Sequence, residues 1–167
     1  LLEVAVEGQA HTRGNGSGEE RPAQHRQQIA DQQADDEIER AAGMTIAEIS
    51  SNEPTLEGGK GAFERVRAAG VTAVVTYNDL MAIGLLREAT AAGVKVPAEL
   101  SIIGFDNIFG SDFTNPPLST IEMPLQKIGA EAVETLLKSF VAEDDEPMHG
   151  TTEVTSLLVR GSTAKAK

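Results

Sequence analysis

Three short apolar runs, Val71–Thr76, Leu100–Gly104 and Leu118–Ile121, most constrain what this chain can fold into. They are rich in β-branched residues and too short for helices. Runs of this kind suit strands buried on both faces, as in parallel sheets covered by helices. Helical patterns lie between and beside them. Gly58–Ala69 sets Phe63, Val66 and Ala69 on one face and stops at Gly70. Asn78 or Asp79 caps a helix running to Ala92, which Gly93 ends. Leu80, Ile83, Leu86 and Ala82, Leu85, Ala89 cover more than one side of it, so it should touch its own sheet and something else. Pro124 suits the first turn of a third helix, over 124–141, with Leu125, Ile128, Ala132, Val133, Leu136, Leu137 and Phe140 at helical spacing. Met44–Ile49 and Glu153–Val159 read as further strands. The order predicts an α/β fold: a doubly wound parallel sheet with helices on both faces.

The first 40 residues differ from the rest. Every aromatic residue follows position 62: Phe63, Tyr77, Phe105, Phe109, Phe113 and Phe140. Gly14-Asn15-Gly16-Ser17-Gly18 is linker chemistry, and the Gln- and Asp-rich stretch after it has little apolar surface to offset the entropy of ordering. Residues 1–40 are therefore expected to be poorly ordered or loosely helical, with residues 1–6 able to form an edge strand. Residues 41–163 should make one domain, and 164–167 a tail. The balance of 14 Lys and Arg against 26 Asp and Glu gives a net charge of −12. Such a surface repels phosphate and disfavours nucleic acid or anionic membranes as direct partners. No apolar run approaches the ~18 residues of a membrane span. The N-terminus does not read as a signal peptide. The chain has no cysteine, which removes disulfides, thiol catalysis and Cys-bound zinc.

Candidate chemistry gathers where two strands end. Ligands of open parallel sheets sit at the carboxyl ends of the strands. Strand 71–76 runs into Tyr77-Asn78-Asp79, and strand 100–104 into Phe105-Asp106-Asn107. A carboxylate, an amide and an aromatic ring suit a small polyhydroxylated or nitrogen-rich ligand. Helix capping by Asn78 or Asp79, and a simple turn at Asp106-Asn107, account for the same residues without a ligand. Gly58-Gly59-Lys60-Gly61 lacks the Lys-Ser/Thr pair of a phosphate loop, and no nucleophile elbow or dinucleotide fingerprint is present. His11, His25 and His149 are isolated. No enzyme, cofactor or metal site is expected.

Four ordered segments resemble the lactose-repressor (LacI/GalR) family of bacterial transcription regulators. They are Val71 to Gly84 (VTAVVTYNDLMAIG), Gly93 to Asn107 (GVKVPAELSIIGFDN), Pro116 to Ile121 (PPLSTI) and Leu158 to Thr163 (LVRGST). The resemblance covers roughly residues 40–163. It implies one lobe of a type I periplasmic-binding-protein fold, with helix 124–141 crossing to the other lobe. It implies effector contacts at Asn78 and Asp106, with Phe105 beside them, and subunit pairing through Ile83 and the Phe109–Phe113 loop. The ligand would be a small effector, such as a sugar, and the intact regulator a cytoplasmic homodimer. Operator DNA would be reached only through a helix-turn-helix outside this sequence, so the chain reads as a truncated effector-binding core. The first 40 residues depart from the family, lacking a match to its effector-binding arginine. Without its partner lobe, helix 124–141 would expose several hundred Å² of apolar surface, at about 25 cal/mol per Å², and favour aggregation. An extracytoplasmic sugar-binding protein of the same fold is the alternative. A secretion signal upstream would favour that reading, and a helix-turn-helix the regulator.

Overall fold

The computed structural model describes residues 3–6, 41, 43–51, 53–140 and 154–165. The expectations placed on residues 7–40 and on His149 lie outside them. Six strands form one sheet: β1 (Glu3–Val6), β2 (Thr45–Glu48), β3 (Ala73–Val75), β4 (Ser101–Phe105), β5 (Ser119–Glu122) and β6 (Ser156–Leu158). Their spatial order is β2-β1-β3-β4-β5-β6. β1 to β5 pair in parallel. The expected α/β sheet is thus present.

Two details differ from the sequence reading. Residues 3–6 do not form an edge: β1 pairs with β2 on one side and β3 on the other. β6 pairs antiparallel with β5. It lies at the sheet's margin, where antiparallel pairing requires no crossover back over a face.

Helix α1 (Leu56–Ala69) connects β2 to β3, and α2 (Asp79–Ala91) connects β3 to β4. Both connections advance across the sheet in the same direction. Right-handed crossovers therefore place both helices on one face, and α1 and α2 pack on each other there. Thr55 caps α1 by accepting from the Gly58 amide, and Gly70 ends it at φ +70°. Phe63 and Val66 of α1, Leu85, Leu86 and Ala89 of α2, and Val74, Ile102 and Leu118 from the sheet form the core. Even-numbered β4 residues Ile102 and Gly104 are buried toward this face, while Ser101, Ile103 and Phe105 are half-buried.

Helix α3 (Leu125–Ser139) buries none of its residues. Its apolar stripe, expected from the spacing, includes the exposed Leu125, Val133, Leu136 and Leu137, and Phe140 follows it, also exposed. Its charges pair along the helix, Lys127 with Glu131 and Glu134 with Lys138. The hydrogen bond and charge from Lys138 lower the Glu134 pKa below the usual carboxylate range. No described helix is long and apolar enough to cross a membrane.

Candidate functional site

The carboxyl ends of β3 and β4 are adjacent and in register, with Val75 opposite Ile103. The Thr76 amide donates to the Ile103 carbonyl at 2.9 Å. Beyond that point the two strands release Asn78 and Asp106 on the same edge of the sheet. The chain order reverses between β1 and β3, next to this edge, and open α/β sheets bind ligands beside such reversals.

Asn78 makes the cap that its position allows. Its Oδ1 accepts from the Met81 amide at 2.9 Å, and its Nδ2 donates to the Pro54 carbonyl at 3.0 Å. An amide nitrogen carries two hydrogens, so one donor remains. The neighbouring Asp79 does not cap. It is fully buried, where its Oδ1 accepts from Thr120 Oγ1 at 2.6 Å and its Oδ2 from the Ile108 amide at 2.8 Å. One carboxylate thereby ties α2 to β5 and to the loop after β4.

Asp106 is half-buried and has φ +103°, followed by Asn107 at φ +53°. Backbone of this kind disfavours residues with a Cβ and is stored at sites that use it. The Asp106 pKa is raised, first by burial and then by the charge of Asp79. Asn107 is held from both ends: Arg160 Nη2 donates to its Oδ1 at 2.7 Å, and its Nδ2 donates to Glu122 Oε1 at 2.8 Å.

Asp106, Asn107 and Glu122 line an open cleft of about 520 Å³ together with residues that include Pro124, Lys127 and Ser156. Asn78 and Phe105 share the edge but do not line this cleft. Phe105 is half-buried and pairs with Ile121 across β4 and β5. The lining offers oxygen acceptors in excess, a set suited to ligand hydroxyls. Among the described residues no group of acids or histidines could hold a metal ion. Of the pairing candidates, Ile83 packs partly against the core. Phe109 and Phe113 are 92% and 72% exposed. Their rings meet edge to face, with centroids 5.3 Å apart.

The raised Asp106 pKa makes a stability prediction. The folded state holds the proton more tightly than the unfolded chain, so this contribution is present at low pH. It is lost as pH rises from the ordinary carboxylate range through the raised value. Asp106→Asn, neutral throughout, should therefore melt higher than the parent at neutral pH and lose that advantage on acidification. Thermal melts across the acid range check this.

The periplasmic binding protein-like domain family matches residues 4–163. The HTH-type transcriptional regulator MalR of Streptomyces coelicolor is 40% identical over 112 residues, covering 67% of this chain and 32% of the relative. The HTH-type transcriptional repressor CytR of Escherichia coli is 53% identical over 66 residues, covering 40% and 19%. A LacI-family regulator from Enterococcus faecalis, solved with bound ribose, superposes with a TM-score of 0.72 at 26% identity. That match covers 99% of this chain and 55% of the other. The chain spans about a third of the length of its relative MalR.

Proposed function

Because this chain belongs to the periplasmic binding protein-like family of LacI-type transcriptional regulators, we propose that its carboxyl-edge cleft is the effector site of such a regulator. The ligand is a small, neutral, hydroxyl-rich molecule, a sugar or a close analogue, as the ribose-bound relative suggests. Asp106 accepts ligand hydroxyls in the cleft, while Asn78 and Phe105, on the same edge but outside the cleft lining, meet only the part of a ligand that extends along the edge beyond it. The ligand is bound and not transformed. One observation carries this reading: Asp106 keeps a disfavoured backbone and a partly buried charge beside Asp79, at the mouth of a cleft. A residue whose only task was to turn the chain would be better served by glycine.

In the whole protein, ligand binding shifts the relation between lobes, and that shift is read by a DNA-binding domain carried outside this chain. Subunits pair through Ile83, Phe109 and Phe113, and the regulator works in the cytoplasm. The helix-turn-helix regulators among the relatives favour this reading over an extracytoplasmic binding protein. Calorimetric titration with a panel of neutral pentoses, hexoses and disaccharides, ribose included, tests it. At least one sugar should bind, and Asp106→Ala should lower its affinity at least tenfold, about 1.4 kcal/mol. Failure of the whole panel, or unchanged binding in the variant, refutes it.

A further inference from the structure

We propose that Arg160 is a positioning residue for this cleft: through Asn107 it fixes the Asp106-Asn107 turn and the Glu122 carboxylate. The inference rests on the effector reading for the cleft's purpose, but its geometry stands alone. Arg160 does not line the cleft. Its guanidinium works as a fork. Nη1 donates to the Leu118 carbonyl at 2.7 Å and to Ser111 Oγ at 3.1 Å, while Nη2 donates to Asn107 Oδ1 at 2.7 Å. Its backbone amide is anchored on Ser119 Oγ at 2.8 Å. The fork therefore sits at a fixed place between β5 and the loop after β4.

The amide of Asn107 passes this placement on. Its oxygen and nitrogen project from one planar group, so holding Oδ1 on Arg160 turns Nδ2 toward Glu122. The turn itself needs outside support, because two successive residues with side chains have positive φ. The backbone supplies part of it. The Asp106 amide donates to the Ile121 carbonyl, the Asn107 amide to Thr120 Oγ1, and the Ile108 amide to Asp79. Asn107's side chain supplies the rest, and Arg160 is the charged end of that chain. Lysine could reach one of these acceptors but cannot span them with a planar fork. The charged groups around the turn are Asp79 at the start of α2, Glu122 on β5, Lys127 on α3 and Arg160 after β6.

The test reads the 167-residue protein by NMR, without a ligand. Two signals are followed: the Asn107 side-chain amide protons and the titration of the Asp106 carboxyl carbon. In the parent, the Asn107 protons should exchange slowly. In Arg160→Met and Arg160→Lys that protection should be lost. In Arg160→Lys, which keeps the positive charge, the Asp106 midpoint should fall toward the ordinary carboxylate range. Arg160→Met also removes a cation, which by itself pushes the midpoint up, so the titration is read on the lysine variant. Asn107→Gly fits the positive φ, leaves Arg160 its bonds to Leu118 and Ser111, and should move the midpoint in the same direction. It carries the test if the Arg160 variants do not fold. A lower melting temperature with both signals unchanged would show that Arg160 merely braces β5, and overturns the proposal. Sugar binding that survives Asp106→Ala would instead sink the effector reading and leave this result untouched.

Discussion

Asp79→Ala is expected to cost about 3 kcal/mol, because it strands a part-buried amide and a buried hydroxyl together. The Ile108 amide and Thr120 Oγ1 both donate to this carboxylate, and Asp79 itself is fully buried. No water can replace the lost acceptor without a cavity polar and roomy enough to hold it. For a domain of this size, the loss corresponds to a fall of roughly 10 °C in Tm, read by thermal circular dichroism. Asp79→Asn keeps one acceptor oxygen and should lie between parent and alanine variant. Gly104 belongs to the same arrangement: a methyl there would overlap Asp79 Oδ1. The bare β4 backbone is what lets the carboxylate reach Thr120.

Gly84→Ala should be nearly as damaging. α1 and α2 meet backbone to backbone at two glycines. A methyl on Gly84 would overlap the Leu56 carbonyl oxygen, and one on Gly59 the Met81 carbonyl oxygen. These obstacles are backbone, so relief requires the helices to separate. Overpacking of this kind costs about 1–3 kcal/mol, occasionally more. Because backbone cannot swing aside, the upper end of that range applies; alanine's helix preference returns about 1 kcal/mol, which leaves a net loss of about 2 kcal/mol. Gly61 lies on α1 with open space where its methyl would go. Gly61→Ala should therefore stabilise by up to about 1 kcal/mol. Urea midpoints of the two variants should move in opposite directions from the parent.

Much of this architecture is legible in the residues. The apolar runs place β3, β4 and β5 because strands buried between layers need no polar alternation. Gly70 marks the end of α1 because its φ of +70° excludes most side chains. The edge that carries Asn78, Phe105 and Asp106 is legible because parallel strands deliver their carboxyl ends to one side. The division of labour in Asn78-Asp79 is not. Either residue can cap, and only the approach of Thr120 and Ile108, 41 and 29 positions away, decides that Asp79 goes inward. Arg160 is hidden for the same reason. It stands in an Arg-Gly-Ser-Thr segment just past the strand read over Glu153–Val159. Its partners Asn107, Ser111 and Leu118 lie 53, 49 and 42 residues back. A usable signal was the density of small polar residues there: Ser162 is buried, donates to the Ile102 carbonyl and accepts from the Ser119 amide. The inner place of β1 depends on pairing with both β2 and β3, which its own four residues do not encode.

The central claim is that the cleft beside Asp106, at the carboxyl edge of β4 and β5, is where a ligand sits. Backbone amide shifts, mapped residue by residue as the sugar panel is added to labelled protein, test it most directly. The account predicts changes confined to residues 77–78, 105–108 and 122–127, and their disappearance in Asp106→Ala. Changes centred instead on Phe109 and Phe113, or on α1, with residues 105–108 unmoved, would contradict it.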